Sequence, residues 1–165
     1  MQSRSYHFYG FILVISLFTA CQNNEPPLPP NIIYVMVDDL GVADLGCYGN
    51  KDIQTPKIDQ FAREGMLFQQ AYSGNTVCAP ARSTLMTGLH SGNTPVRGNT
   101  GGIALPDSAF TVAELLSQAG YATGGFGKWG LGDQGTEGVP EKQGFDEFFG
   151  YYHQIHAHNY YPEYL

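Results

Sequence analysis

The segment Asn31–Val37, NIIYVMV, constrains the fold more than any other stretch of this chain. It is apolar and rich in β-branched residues, with no polar alternation. A strand with one wet face alternates; a run without alternation has no face left for water. It therefore predicts a strand buried on both sides, as in a parallel sheet. Asp38 and Asp39 follow at once. In open α/β sheets, ligands bind beyond the carboxyl ends of strands. Two adjacent carboxylates there repel each other unless a cation lies between them, and a hard divalent ion held through oxygen is one solution. A plain turn with a helix cap is the other, because Asp favours both.

The rest of the chain alternates between helix and strand signals. Pro56–Glu64 places Ile58, Phe61 and Ala62 at helical spacing, with Pro at its start and Gly65 just past its end. Met66–Gln70 predicts a short strand. Pro80–Thr87 predicts a helix with Pro80 at its first position and Gly88 as its stop. Thr111 and Glu114 form a capping-box pattern that opens a helix ending at Gly120. Tyr121–Phe126 predicts a further strand. This order predicts an α/β fold, a mainly parallel sheet with helices on both faces.

A chain of 165 residues holds one compact domain and is too short for two. Its formal charge of −7 argues against a nucleic-acid partner, which calls for a basic face. Twelve of the 21 glycines lie in residues 92–138, which implies loops that approach a site closely.

The N-terminal residues read as an address. Phe8–Ala20 is an apolar run well short of the roughly 20 residues a spanning helix needs. It fits the apolar core of a signal peptide, assigned to residues 1–20. Leu17-Phe18-Thr19-Ala20-Cys21 resembles a bacterial lipobox, with Phe18 where an aliphatic residue is usual. Cys21 would then be lipidated and begin the mature chain. An ordinary signal peptide cut near Ala20, or an uncleaved anchor, is the competing reading. Residues 21–30 are polar, then Pro-rich, and predict an extended spacer. Together these features predict an exported protein, periplasmic or at the cell surface, held to a bacterial membrane by lipid.

Two further elements carry chemistry. Cys78-Ala79-Pro80-Ala81-Arg82 puts a thiol beside a helix N-terminus, where free N–H groups and the dipole favour anions. Arg82 lies one turn further on. A buried structural thiol is the plainer reading of Cys78. Lys128 sits among glycines in Gly127–Gly132, after a strand, and suits a point charge for an anion. Taken alone, it reads equally as a solvated loop lysine.

With the aspartates, these elements resemble the sulfatase family, which has the alkaline-phosphatase-like fold. The carrying segments are VDDLG (37–41), DLGCYGN (44–50), TPKIDQFAREGMLF (55–68), CAPAR with STLMTG (78–88), GYATGGFGKWGLG (120–132) and QGFDEFFGY (143–151). The resemblance covers residues 31–165. It implies that a maturation enzyme oxidises Cys78 to formylglycine (3-oxoalanine). The aldehyde hydrates to a gem-diol, one hydroxyl attacks the sulfur of a sulfate ester and displaces the alcohol, and the other then loses a proton. The sulfo-intermediate then collapses to aldehyde and free sulfate, an exit that a plain alcohol lacks. The resemblance further implies Asp38, Asp39 and the Cys78-derived group as ligands of a divalent metal, calcium, which acts as Lewis acid. It implies that Arg82 stabilises the formylglycine and Lys128 holds the sulfate. Sulfated carbohydrates are the substrate class the family favours.

The chain departs from the pattern at Gly130, where many relatives carry a histidine that assists the formylglycine hydroxyls. His153, His156 and His158 are the candidates to replace it, and the AHNYYP pattern favours His158, with a solvated loop as the alternative. Eight aromatics lie in residues 145–165; Phe145, Phe148 and Phe149 are expected in the core, and the tyrosines offer a sugar-stacking surface. Cys47 is expected as a small buried residue. His90 and Arg97 receive no role. Two other functions compete: hydrolysis of phosphate or phosphonate esters on the same fold, and non-catalytic binding of anionic glycans at a surface. Calcium takes about 6–8 oxygens, more than these residues supply. The chain is accordingly expected to be the N-terminal part of a longer enzyme, with an incomplete sheet and no turnover of its own.

Overall fold

The structure, a computed structural model, describes residues 27–165. The segment expected to be a signal peptide, residues 1–20, and Cys21 lie outside these residues. The chain divides at Val37/Asp38 into two units. In the first, residues 27–37 form neither helix nor strand. The strand expected at Asn31–Val37 does not form: the run has no ladder partner among the described residues, and Ile33 is 88% exposed. Sequence can specify an extended, apolar segment. A strand also needs hydrogen-bonding neighbours on its edges, and those come from elsewhere in a fold.

The second unit contains three α-helices: α1 (Pro56–Glu64), α2 (Cys78–Thr87) and α3 (Val112–Gln118). Two strands follow, β1 (Gly124–Lys128) and β2 (Glu147–Tyr151). They pair in parallel, with Gly124 opposite Glu147 and Lys128 opposite Tyr151. Parallel strands need a long crossover. Here residues 129–146 supply it, with a short 3-10 turn at Pro140–Lys142. The ladder runs on past β1, as Trp129 N donates to Tyr151 O at 2.8 Å and Gly130 N to Tyr152 O at 3.0 Å. Close approach of the two strands rests on glycine: a Cβ on Gly150 would lie 1.9 Å from Gly127 O.

The helices keep the expected signals. Thr111 and Glu114 form the capping box, with Glu114 N donating to Thr111 Oγ1 at 3.2 Å and Thr111 N to Glu114 Oε2 at 2.7 Å. α1 forms where expected, but Phe61 on its apolar face is 77% exposed. It is held from its polar side, where Asp59 Oδ1 accepts from Cys47 N and Thr55 Oγ1, both at 2.8 Å. Cys47 itself is half-buried rather than buried. Met66–Gln70 is irregular instead of a strand, for want of a ladder partner. The strand expected at Tyr121–Phe126 starts and ends later, at Gly124 and Lys128.

The core of this unit gathers Ala79, Val96, Leu105, Ala109, Trp129 and Leu131. Trp129 is its hub. Its Nε1 donates to Gly138 O at 2.7 Å, and Phe145 and Phe148 meet its ring edge-on at centroid distances of 5.7 and 6.3 Å. Phe149 departs from expectation and is 62% exposed, because adjacent residues of a strand point to opposite faces.

Tyr152, just beyond β2, donates to Glu141 in the 3-10 turn. That hydrogen bond to a carboxylate, aided by partial burial, pushes the phenol up to about 12 from its ordinary 10.0. Folding therefore favours the protonated phenol. The contribution is fully present below pH 10.0 and is lost as pH rises through about 12. An ultraviolet titration should show one tyrosine ionising near pH 12, and Tyr152→Phe should abolish that late step.

Candidate active site

The cluster is built where β1 ends and α2 begins. α2 starts at Cys78, two residues earlier than the sequence implies, so that Pro80 lies in the first helical turn. Proline is tolerated there because first-turn N–H groups have no intrahelical partner to lose. The N-cap residue, Val77, offers no side-chain acceptor. Asn99 supplies one from a distant loop, its Oδ1 accepting from Ala79 N at 3.1 Å. Sequence reasoning missed Asn99, whose only signal was its place in the Gly-rich stretch. The inner side of α2 is tied down by Ser83, whose hydroxyl pairs with Thr94 and accepts from Val96 N at 3.4 Å.

Cys78 and Arg82 are four residues apart and so share one helix face. Lys128, the last residue of β1, reaches this face: its Nζ lies 3.5 Å from Cys78 Sγ. It also forms an ion pair with Asp38. Arg82 Nη2 lies 3.5 Å from the same Asp38 oxygen, and Arg82 Nη1 donates to the Lys128 carbonyl. Lys128 and Arg82 side chains are largely buried, at 14% and 15% exposure. The Lys128 ammonium that donates to Asp38 holds its carboxyl below the usual range; burial opposes this, while the charges of Lys128, Arg82 and His158 reinforce it. Asp39 is exposed and adopts a positive φ of 54°, a region Asp tolerates better than most residues.

Of the three candidate histidines, His158 lies close enough for its charge to act on Asp38. His153 lies elsewhere, with Nε2 3.6 Å from Asp133. His156 stacks between Tyr151 and Tyr164, at centroid distances of 5.3 and 4.9 Å. Arg97 donates to Thr94 O at 3.0 Å, and His90 accepts from Gly92 N at 3.1 Å.

Among the described residues, no three of His, Cys, Asp and Glu gather into a metal-holding group. The carboxylates of Asp38 and Asp39 suit a hard cation by donor chemistry. They supply only part of the shell such an ion takes, and Asp38 is engaged by two cationic side chains. The arrangement by itself offers an anion two fixed cations beside a thiol at a helix N-terminus.

The family model described as Sulfatase matches residues 30–165. Human arylsulfatase D is 42% identical over 135 residues, which cover 73% of this chain and 23% of that protein. Among solved structures, Ps i-CgsB in complex with k-i-k-neocarrahexaose is 39% identical with a TM-score of 0.63, covering 70% of this chain and 26% of that one. BT4656 in complex with its substrate D-glucosamine-2-N,6-O-disulfate is 37% identical with a TM-score of 0.62, covering 72% and 22%. The chain thus spans about a quarter of the length of the relatives it matches. The parallel pair β1–β2 and its helices are part of the alkaline-phosphatase-like fold of these sulfatases, and the chain belongs to the sulfatase family.

Proposed function

We propose that this chain carries the sulfate-gripping half of an enzyme that hydrolyses sulfate esters through a formylglycine made from Cys78. The observation that carries the reading is the approach of Lys128 Nζ to Cys78 Sγ at 3.5 Å, with Asp38 and Arg82 in the same cluster. The formylglycine, with a divalent metal such as calcium, supplies a nucleophile that can release the sulfo group it accepts. The chain's own residues bind and orient. Lys128 holds a sulfate oxygen as a point charge, and a fixed cation becomes more effective as negative charge shifts onto the sulfuryl oxygens and the departing alcohol. Arg82 steadies the group at position 78 from one helical turn away. Asp38, Asp39 and the group made from Cys78 would supply oxygens to hold the metal. His158, whose charge reaches Asp38, is the candidate proton carrier and sulfate contact. Sulfated carbohydrates are the proposed substrates, by likeness to relatives seen with neocarrahexaose and glucosamine disulfate.

Peptide mass spectrometry across Cys78 of native, full-length protein tests the reading. An aldehyde is expected, and an unmodified thiol would favour a non-catalytic glycan binder. Sulfate and phosphate esters of one aryl alcohol then separate a sulfatase from a phosphate or phosphonate esterase. The 165-residue chain alone is expected to turn over neither ester.

We also propose export with lipid attached at Cys21. In a bacterial host, Cys21→Ser should move the protein from the membrane to the soluble fraction. Unchanged fractionation would refute the anchor.

A further inference from the structure

Two buried polar groups beside the cluster have no partner among the described residues. Gln154 is 5% exposed, and neither its Oε1 nor its Nε2 makes a hydrogen bond. Arg82 Nε is likewise buried and unpaired, although both terminal nitrogens of the same guanidinium are engaged. Burying a polar group without a partner is unfavourable, so two such groups side by side call for an explanation.

Both border the same point. A Cβ on Gly130 would lie 2.5 Å from Gln154 Oε1 and 3.8 Å from Arg82 Cδ. Gly130 adopts a φ of +76°, which suits glycine, and its lack of a side chain leaves the room that the Gln154 carboxamide fills. The backbone brings the two together: Gly130 N donates to Tyr152 O at 3.0 Å, so the chain leaving β2 runs alongside position 130 and delivers Gln154 two residues later. The senses are complementary. Arginine has only donors, and the carboxamide oxygen is an acceptor.

We propose that Gln154 is a positioning residue for Arg82: a turn of its carboxamide, unpaired in this arrangement, lets Oε1 accept from Arg82 Nε–H and fixes the plane of the guanidinium between Lys128 and Asp38. The guanidinium is then held at all three nitrogens, by the Lys128 carbonyl, the Asp38 carboxylate and the Gln154 amide. A freely rotating arginine at this place would present its charge to the group at position 78 in many orientations. One held at three points presents it in one. The kinetic consequence rests on the sulfatase reading; the pairing itself does not.

The test uses the full-length enzyme carrying the aldehyde at position 78, with an aryl sulfate as substrate. Gln154→Leu should lower kcat at least about tenfold, with KM changed less than about twofold. In an Arg82→Lys background, which keeps the charge but removes Nε, the same change should cost less than about twofold. Additive losses would overturn the proposal. A second readout does not need turnover. In arginine-labelled protein, the Arg82 Nε–Hε resonance, identified by its loss in Arg82→Lys, should exchange slowly with solvent. It should exchange fast in Gln154→Leu and stay slow in Gln154→Glu, which keeps an acceptor. A resonance in wild type that exchanges like that of a free arginine would overturn the pairing, even if Gln154→Leu fails to fold. Wild-type enzyme that carries the aldehyde and a slowly exchanging Nε–H yet leaves aryl sulfates intact would refute the sulfatase reading and leave the pairing standing.

Discussion

Cys78→Ala in the full-length enzyme is expected to lower kcat on aryl sulfates by roughly 10,000-fold or more, the scale seen when a covalent nucleophile is removed. The fold should survive. Cys78 is only half-buried, and its Sγ is met by the ammonium end of a lysine side chain rather than by the apolar core. The helix N-terminus is held by backbone and by Asn99, not by the thiol. Thermal unfolding should therefore change little while turnover vanishes. Cys78→Ser is the sharper variant. A serine alcohol can be sulfated but has no second hydroxyl through which to release the sulfo group. If it reacts at all, it should stop after one turnover, with the sulfo group retained on the peptide that contains position 78. Multiple turnovers by a serine enzyme shown to carry no aldehyde would refute the formylglycine reading.

Lys128→Met should have the second-largest effect, a loss of roughly 100- to 1,000-fold in kcat/KM, the range for removing one fixed electrostatic contact from a reacting group. Two terms add here. The sulfate loses its point charge, and Asp38 loses the cation that holds its carboxyl low. Methionine keeps much of the stem length, so packing changes are small. Lys128→Arg is not expected to rescue, because a planar fork cannot replace a compact ammonium in the space between Cys78 and Asp38. Parallel measurements on an aryl sulfate and an uncharged carboxylic ester of the same alcohol would check the assignment. A loss confined to the sulfate supports it, and an equal loss on both would refute it.

The histidine at position 158 separates what pattern reading reaches from what it does not. Three histidines within six residues are indistinguishable by composition, and only the fold assigns their neighbours. His153 meets Asp133, His156 meets two tyrosines, and His158 acts on Asp38. Gln154, between them in sequence, gave no signal at all. Its interest comes from burial and from facing a position that lacks a Cβ, neither of which a one-dimensional pattern encodes.

The elements divide in the same way. The three helices were legible, the second from Pro80 rather than Cys78, because caps, stops and periodicity are local, acting within one turn of chain. The strands were less so. Asn31–Val37 has the composition of a buried strand and remains an exposed segment without regular structure, while Glu147–Tyr151, with its glycine and acidic end, pairs with β1. Strand formation depends on a partner far along the chain, and here that partner is set by the crossover through residues 129–146 and by glycines that let two backbones touch. By itself, the sequence determined the family, a helix carrying Arg82 with Cys78 at its N-terminal end, and the residue types of the cluster. Only the tertiary structure decided that Lys128, 50 residues away in sequence, meets Cys78, and that Gln154 fills the space beside Arg82. Those contacts join residues distant along the chain, and only packing brings such residues together.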